Sequence, residues 1–255
     1  MENKIVFHFY MLNLFSENAI IGKNCIIDEF AIIYPNVVIE DNTYIGPYSI
    51  IGSPTMNFYI DQENHRFEKT IIGKNSIIRS HTVIYENNII GNNFQTGHHV
   101  TIREKSKIGN NCSVGTLSDI QGRVEIGNFV RMHSNVHVGM FTKIEDYVWL
   151  FPYVLITNDM YPPHDKLEGC TIKEYAIVGA NTTILPGNII GKNSFVAAGS
   201  LVTKNVSEGD FVMGRPATFK KKIEEIKDKN GELLYPWKDY LTENRGYPWQ
   251  KKLER

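Results

Sequence analysis

A solenoid of stacked short turns, an all-β parallel β-helix, is the fold this sequence predicts. Three observations predict it. First, an aliphatic residue returns every sixth position. The run from Ile72 to Ile156 is Ile72, Ile78, Ile84, Ile90, Thr96, Ile102, Ile108, Val114, Ile120, Ile126, Met132, Val138, Ile144, Leu150 and Ile156, with Thr96 alone not aliphatic. The same step links Ile21 to Ile51 and Ile172 to Val202. A period of six matches neither the helical 3.6 nor simple strand alternation, and is the mark of hexapeptide repeats. Second, the residue four places after the aliphatic is small or compact (Cys25, Ala31, Thr43, Ser49, Ser76, Thr82, Ser106, Cys112, Ser118, Thr142). A narrow interior needs one large and one small inward side chain per step. Third, Gly often follows the aliphatic (Gly22, Gly46, Gly73, Gly91, Gly109, Gly127, Gly139), which suggests tight corners. An ordinary parallel sheet would need a crossover of about a dozen residues between strands, and the unbroken step leaves no room for one.

The elements follow in order. Residues 1 to about 20 are irregular and would cap the first coil. Repeats occupy 21–52, 72–157 and 172–207. Two interruptions, loops 53–70 and 158–171, are long, polar and aromatic, the kind of segment that carries function on a rigid scaffold. After Pro216 the stretch FKKKIEEIKDKNGELL reads as a helix with Gly231 as its stop. A Tyr/Pro/Trp-rich tail closes the chain. The division is therefore a β-helix domain over 1–217 and a helical and irregular tail over 218–255.

Bulk properties exclude several classes. The formal net charge is −1, so no broad basic field invites nucleic acid. No apolar stretch approaches a membrane span, and the start is a poor signal peptide, which points to a cytoplasmic protein. The three cysteines lack metal or disulfide spacing. Cys25 and Cys112 fall at the small inward position and should be buried, whereas Cys170 lies in an interruption and is expected to be exposed.

The repeats of residues 20 to 217 resemble those of the left-handed β-helix acyltransferases. The run ILPGNIIGKNSFVAAGSLVTKNVSEGDFVMGRPA, Ile184 to Ala217, is similar to the closing coils of acetyl-CoA-dependent members and ends in a Gly-x-Pro-Ala turn. The resemblance implies a homotrimer with the coenzyme arm in a groove between subunits. It implies that Gly179, Ala197 and Ala198 offer low bulk to the pantetheine, and that Arg215, Lys220 and Lys221 neutralise its phosphates. Narrower stretches, TLSDIQG (Thr116–Gly122), HSNVHVG (His133–Gly139), VWLFPYVLITNDMYPP (Val148–Pro163) and Tyr235–Trp237, resemble the N-acetyltransferases of dTDP-3-amino-3,6-dideoxyhexoses, enzymes of surface-glycan synthesis. IGSP (Ile51–Pro54), IIGKNSIIR and TGHHVTIRE resemble instead the UDP-N-acetylglucosamine O-acyltransferases of lipid A synthesis. Both imply a nucleotide-linked sugar as partner and acetyl-CoA or another acyl donor as co-substrate, with no metal.

In the prism of that family three sides make a coil of eighteen. Sorted that way, His81, His98, His99, His133 and His137 fall on one face, His81 and His99 should stack, and His137 sits over Asp119. An Asp beside a His fixes its tautomer and raises its basicity. Acyl transfer to an amine needs positioning above all, with an imidazole to take the proton. His133 is therefore expected nearest the acceptor, with His137 and Asp119 in support and His98 as the rival. Asn158 and Asp159 at the second loop would bind the sugar, or form an Asx-type turn. Phe58 and Tyr59, with Phe67, would stack on a base, or pack within their own loop. A γ-type carbonic anhydrase, with zinc on three of these histidines, is a competing reading on the same fold; the coenzyme-like closing run speaks against it.

Overall fold

The computed structural model describes residues 14–232 except 17 and 164. Residues 1–13 of the expected N-terminal cap and the Tyr235–Trp237 tail lie outside the described residues. Three sheets of ten, nine and eleven strands form the walls of a prism, and up to Leu201–Val202 each strand pairs in parallel with the strand three places on in sequence. Along the first wall Thr101, Asp119, His137 and Leu155 are successive partners, each step being eighteen residues. The coil of eighteen is therefore observed, and the architecture is a left-handed β-helix of hexapeptide repeats. The repeat starts one strand before Ile20–Ile21, because Leu14–Phe15 pairs with Ile32–Ile33.

The periodic aliphatics are the core: Ile33, Ile39, Ile45, Ile51, Ile72, Ile78, Ile84 and Ile102 are fully or almost fully buried. The compact partners are buried with them, among them Ser49, Ser76, Thr82, Ser106 and Ser118. Thr96 breaks the aliphatic series without leaving a void. Phe94, two residues earlier and fully buried, supplies the missing volume.

The glycines are needed for a reason other than the one their spacing suggests. Those that follow the aliphatics, Gly52 (φ 79°) excepted, do not adopt positive φ. A Cβ on Gly73 would lie 2.5 Å from the carbonyl carbon of Gly91, and one on Gly109 2.5 Å from the oxygen of Gly127. They permit the next coil's backbone to approach. The left-handed corner residue is two places further along, and is Asn, Tyr, Phe or His as readily as Gly (Asn42 φ 58°, Tyr48 φ 58°, His99 φ 55°).

Both loops leave the same corner, between the first and second walls. The pairing interval jumps there from eighteen to thirty-three residues (Val37 opposite Thr70) and to twenty-eight (Lys143 opposite Thr171). The first loop holds one short helix, Met56–Ile60. Cys170 is buried, not exposed, because it resumes the small inward position as the second loop ends. Burial pushes its thiol up to about 11. Cys112 is buried as expected, whereas Cys25, near the open end of the coil, is only half-buried.

The helix expected after Pro216 is mostly a strand. Thr218–Lys222 pairs antiparallel with Asp210–Met213, and only a short 3-10 turn, Ile223–Glu225, follows. The exposed edge of the last third-wall strand offers a ladder that outweighs the local helical preference. Gly231 does adopt positive φ (83°), in a turn rather than at a helix end.

Candidate active-site corner

His133 follows the third-wall strand Arg131–Met132, and His137 opens the first-wall strand His137–Val138. The five clustered histidines therefore do not share a flat face. His81, His98, His99 and His133 line the corner between the third and first walls, and His137 stands on the first wall at its edge. The assignment to one face miscounts because the six-residue sector spans the corner and the first residue of the next strand. The corner between His133 and His137 is pinned from the preceding coil. Ser118 Oγ donates to the His133 carbonyl (3.1 Å) and accepts from the Val136 amide (3.1 Å).

His133 packs against two aromatic rings. Its imidazole stacks on Phe151 (centroids 5.0 Å, 18°) and lies 6.2 Å from the Trp149 ring. Partial burial, and then the Arg131 guanidinium, hold its pKa below the ordinary 6.5. The ring is neutral at neutral pH and able to accept a proton. His137 Nδ1 stands 3.0 Å from Asp119 Oδ2, both side chains partly exposed. That contact leaves Nε2 toward solvent. His98 Nδ1 is 2.8 Å from Ser80 Oγ, and its amide donates to Thr116 Oγ1 (3.2 Å), so it is tied to the corner. His81 and His99 stack at 4.5 Å and extend a column of rings from Phe30 through Tyr48.

The third-wall ladder then runs from His133 toward the C-terminal coils. The His133 amide bonds the Leu150 carbonyl, Phe151 that of Val178, Gly179 that of Val196, and Ala197 that of Val212. Successive coils thus put Gly97, Gly115, His133, Phe151, Gly179 and Ala197 in one column at this corner. At roughly 4.8 Å per coil, Gly179 lies about 10 Å and Ala197 about 14 Å from His133. The turn Gly214–Ala217 closes on this end: Gly214 donates to Ser200 Oγ (3.3 Å) and Ala217 to the Leu201 carbonyl (2.8 Å). Arg215 stands exposed on that turn, and Lys220 and Lys221 are exposed on the neighbouring edge strand.

The loop residues behave differently. Phe58 packs edge-on to Tyr59 and His65 and against Phe67, within its own loop, while Tyr59 is exposed. Asp159 Oδ1 accepts from the Tyr161 amide (3.1 Å), the Asx-type turn, and the Asn158 carbonyl accepts from Glu168 (2.9 Å). Asn158 nonetheless lies over Gly139, two residues after His137. Sequence reasoning missed Phe151, whose role is visible only once the register of the ladder is known.

Two cavities lie away from the histidine corner. One of about 520 Å³, lined by Lys107, Glu125, Lys143, Glu145, Asp146 and Glu174, is a surface of paired charges. Another of about 530 Å³ lies under the first loop. Among the described residues no three His, Cys, Asp or Glu converge as a metal set, and no helix is long and apolar enough to cross a membrane.

Comparison with known proteins agrees with this scaffold. Residues 18–53 match the bacterial transferase hexapeptide family (six repeats). No curated protein matches the chain. Among solved structures, the Arabidopsis UDP-N-acetylglucosamine acyltransferase superposes with a TM-score of 0.62 at 17% identity, over 82% of this chain and 72% of its own. The Campylobacter jejuni UDP-N-acetylglucosamine acyltransferase gives 0.55 at 15% identity, over 95% and 88%. Fold and match together define a hexapeptide-repeat scaffold, the left-handed β-helix.

Proposed function

We propose that the protein is an acetyl-CoA-dependent N-acetyltransferase acting on the amino group of a nucleotide-linked amino-deoxysugar. The acceptor in this reading is a dTDP-3-amino-3,6-dideoxyhexose used in surface-glycan synthesis. The observation that carries the reading is the single corner column. It joins a neutral, ring-stacked His133 to the low-bulk strip of Gly179, Ala197 and Ala198 two and three coils away. In this reading the pantetheine lies along the strip, with its phosphates near Arg215, Lys220 and Lys221, and a second copy of the chain closes the groove as in a trimer. The thioester carbonyl then reaches His133. The sugar amine attacks that carbonyl, a C–N bond forms, and the C–S bond breaks as the thiolate leaves. His133 or the His137–Asp119 pair removes the amine proton, and the departing thiolate takes up one proton. In this reading Asn158, beside Gly139, would contact the sugar.

Both superposed acyltransferases act on UDP-N-acetylglucosamine by name, but their identity to this chain is too low to carry a substrate across. The test is thiol release from acetyl-CoA with a panel of nucleotide-linked sugars. The amino sugars should give turnover, and His133→Ala should cost only a few-fold in kcat, because an amine is already nucleophilic. Turnover with a UDP-linked hydroxyl alone, with a loss near the 10²–10⁴-fold typical of general base catalysis, would replace N- by O-acylation.

A further inference from the structure

The cavity beneath the first loop holds a pair of cations that the fold itself does not require. Lys105 and Arg123 occupy the same corner position on consecutive coils, eighteen residues apart, between the first and second walls. Both have left-handed backbone (φ 63° each), a conformation costly for long side chains and cheap for Asn. The chain uses Asn at this position in the earlier coils, Asn36 (φ 60°) and Asn87 (φ 60°). Stacking two like charges about 4.8 Å apart along the column adds repulsion to that strain. Neither cation forms an ion pair among the described residues; Arg123 instead lies over the Phe141 ring at 5.8 Å.

The carboxylates of the cavity are all engaged elsewhere. Glu86, almost fully buried, accepts from the Thr55 amide (3.1 Å), Thr55 Oγ1 (3.2 Å) and the Glu68 amide (2.9 Å), and contacts His65 Nε2 (3.2 Å). Glu68 accepts from Asn87 (2.8 Å), Glu104 is bridged twice by Arg103 (3.1 and 3.2 Å), and Asp61 takes Asn64. The open volume of about 530 Å³ is lined by these engaged carboxylates and by Arg66, Arg103, Lys105 and Arg123, of which Lys105 and Arg123 form no ion pair among the described residues. Two such cations side by side can hold a multiply charged oxyanion.

We propose that Lys105 and Arg123 form a diphosphate subsite for the nucleotide-linked acceptor, which therefore lies across the first wall. The proposal rests on the acceptor class proposed above. Arg123 is four residues beyond Asp119 on the same coil, a backbone span of at most ~14 Å. Asp119 in turn pairs with His137. A hexosyl diphosphate presents its amine and its phosphates on different sides of one ring, and its amine would point back along the wall to His137 and His133.

Calorimetric titration of the full chain with inorganic pyrophosphate tests this directly. Wild type should bind, and Lys105→Asn with Arg123→Asn should weaken binding about tenfold or more, since two charge-assisted contacts are lost. That double variant restores the residue the corner prefers, so its Tm should not fall, and loss of binding cannot be put down to unfolding. The charge-preserving Lys105→Arg should hold affinity within about threefold. With an active acceptor the double Asn variant should raise the acceptor KM by the same factor. No pyrophosphate binding in wild type, or unchanged binding in the double Asn variant, overturns the subsite. Thiol release with an unaltered acceptor KM in that variant also overturns it and leaves the acetyl-transfer reading intact. Charge-dependent pyrophosphate binding without thiol release from any amino sugar overturns the assignment to an acceptor, and the acetyl-transfer reading with it.

Discussion

The two corners that flank the first wall are made from one repeat yet carry opposite chemistry. At the third-to-first corner the left-handed positions hold mostly rings and apolar side chains, Tyr48, His81, His99, Leu117 and Tyr153, with Asn135 and Asn181 the exceptions, beside the partly buried His133. At the first-to-second corner they hold Asn87, Lys105 and Arg123 under a loop fastened by Glu86. The backbone is the same in both. What differs is only which side chain sits at a position the coil leaves pointing outward. The comparison teaches that this fold separates structure from function by position: inward residues fix the coil, and corner residues are free to specify chemistry.

The largest effect should come from breaking the histidine corner from within. A Cβ on Gly115 would lie 2.4 Å from the carbonyl carbon of His133 and 2.5 Å from the Ser134 amide. Gly115→Ala should therefore destabilise the coil by about 1–3 kcal/mol in chemical denaturation. Displacing His133 should also lower kcat/KM, by no more than the few-fold cost of His133→Ala. Next is the loop corner. Glu86→Ala leaves three donors without their buried acceptor and should cost about 1–3 kcal/mol. Hydrogen exchange should rise over 53–70 while coenzyme A binding at the other corner is retained. Loss of coenzyme binding would show that the two corners are not independent.

A smaller effect sharpens the electrostatic side. Phe151→Ala exposes His133, so its pKa should rise toward 6.5 in an NMR titration. The sign follows from burial, which disfavours the charged ring. In wild type the acid limb of the rate should have its midpoint below 6.5, and Phe151→Ala should move it upward. The same depression makes a stability contribution that is present above 6.5 and lost as pH falls through the folded-state value. The smallest effect should be Asp119→Asn, which removes the carboxylate from His137. It should slow turnover a few-fold; unchanged turnover would strip the pair of its proposed role.

The walls were legible in the sequence because the interior of a narrow coil leaves little choice. Ile102 and Ser106 face inward at fixed spacing, and their burial follows from size alone. The alignment of Asp119 with His137 was legible for the same reason, since a coil of constant length turns sequence spacing into neighbourhood. Three features were not. The glycine role was misread because a close backbone approach and a left-handed turn leave the same residue in the sequence. The strand Thr218–Lys222 was hidden because its charge pattern is helical, whereas its pairing edge is supplied from Asp210–Met213. The corner placement of His133, and its shelf on Phe151, depends on where within six residues the chain turns, which periodicity does not mark.

The claim on which the account turns is that coenzyme and imidazole share one corner column. NMR observation of the His133 ring and of the Gly179, Ala197 and Ala198 amides during titration with coenzyme A tests it most directly. The account predicts that all four shift together along one saturating curve. Shifts confined to the second wall around Lys107 and Lys143, with the His133 ring unmoved at saturation, would contradict it.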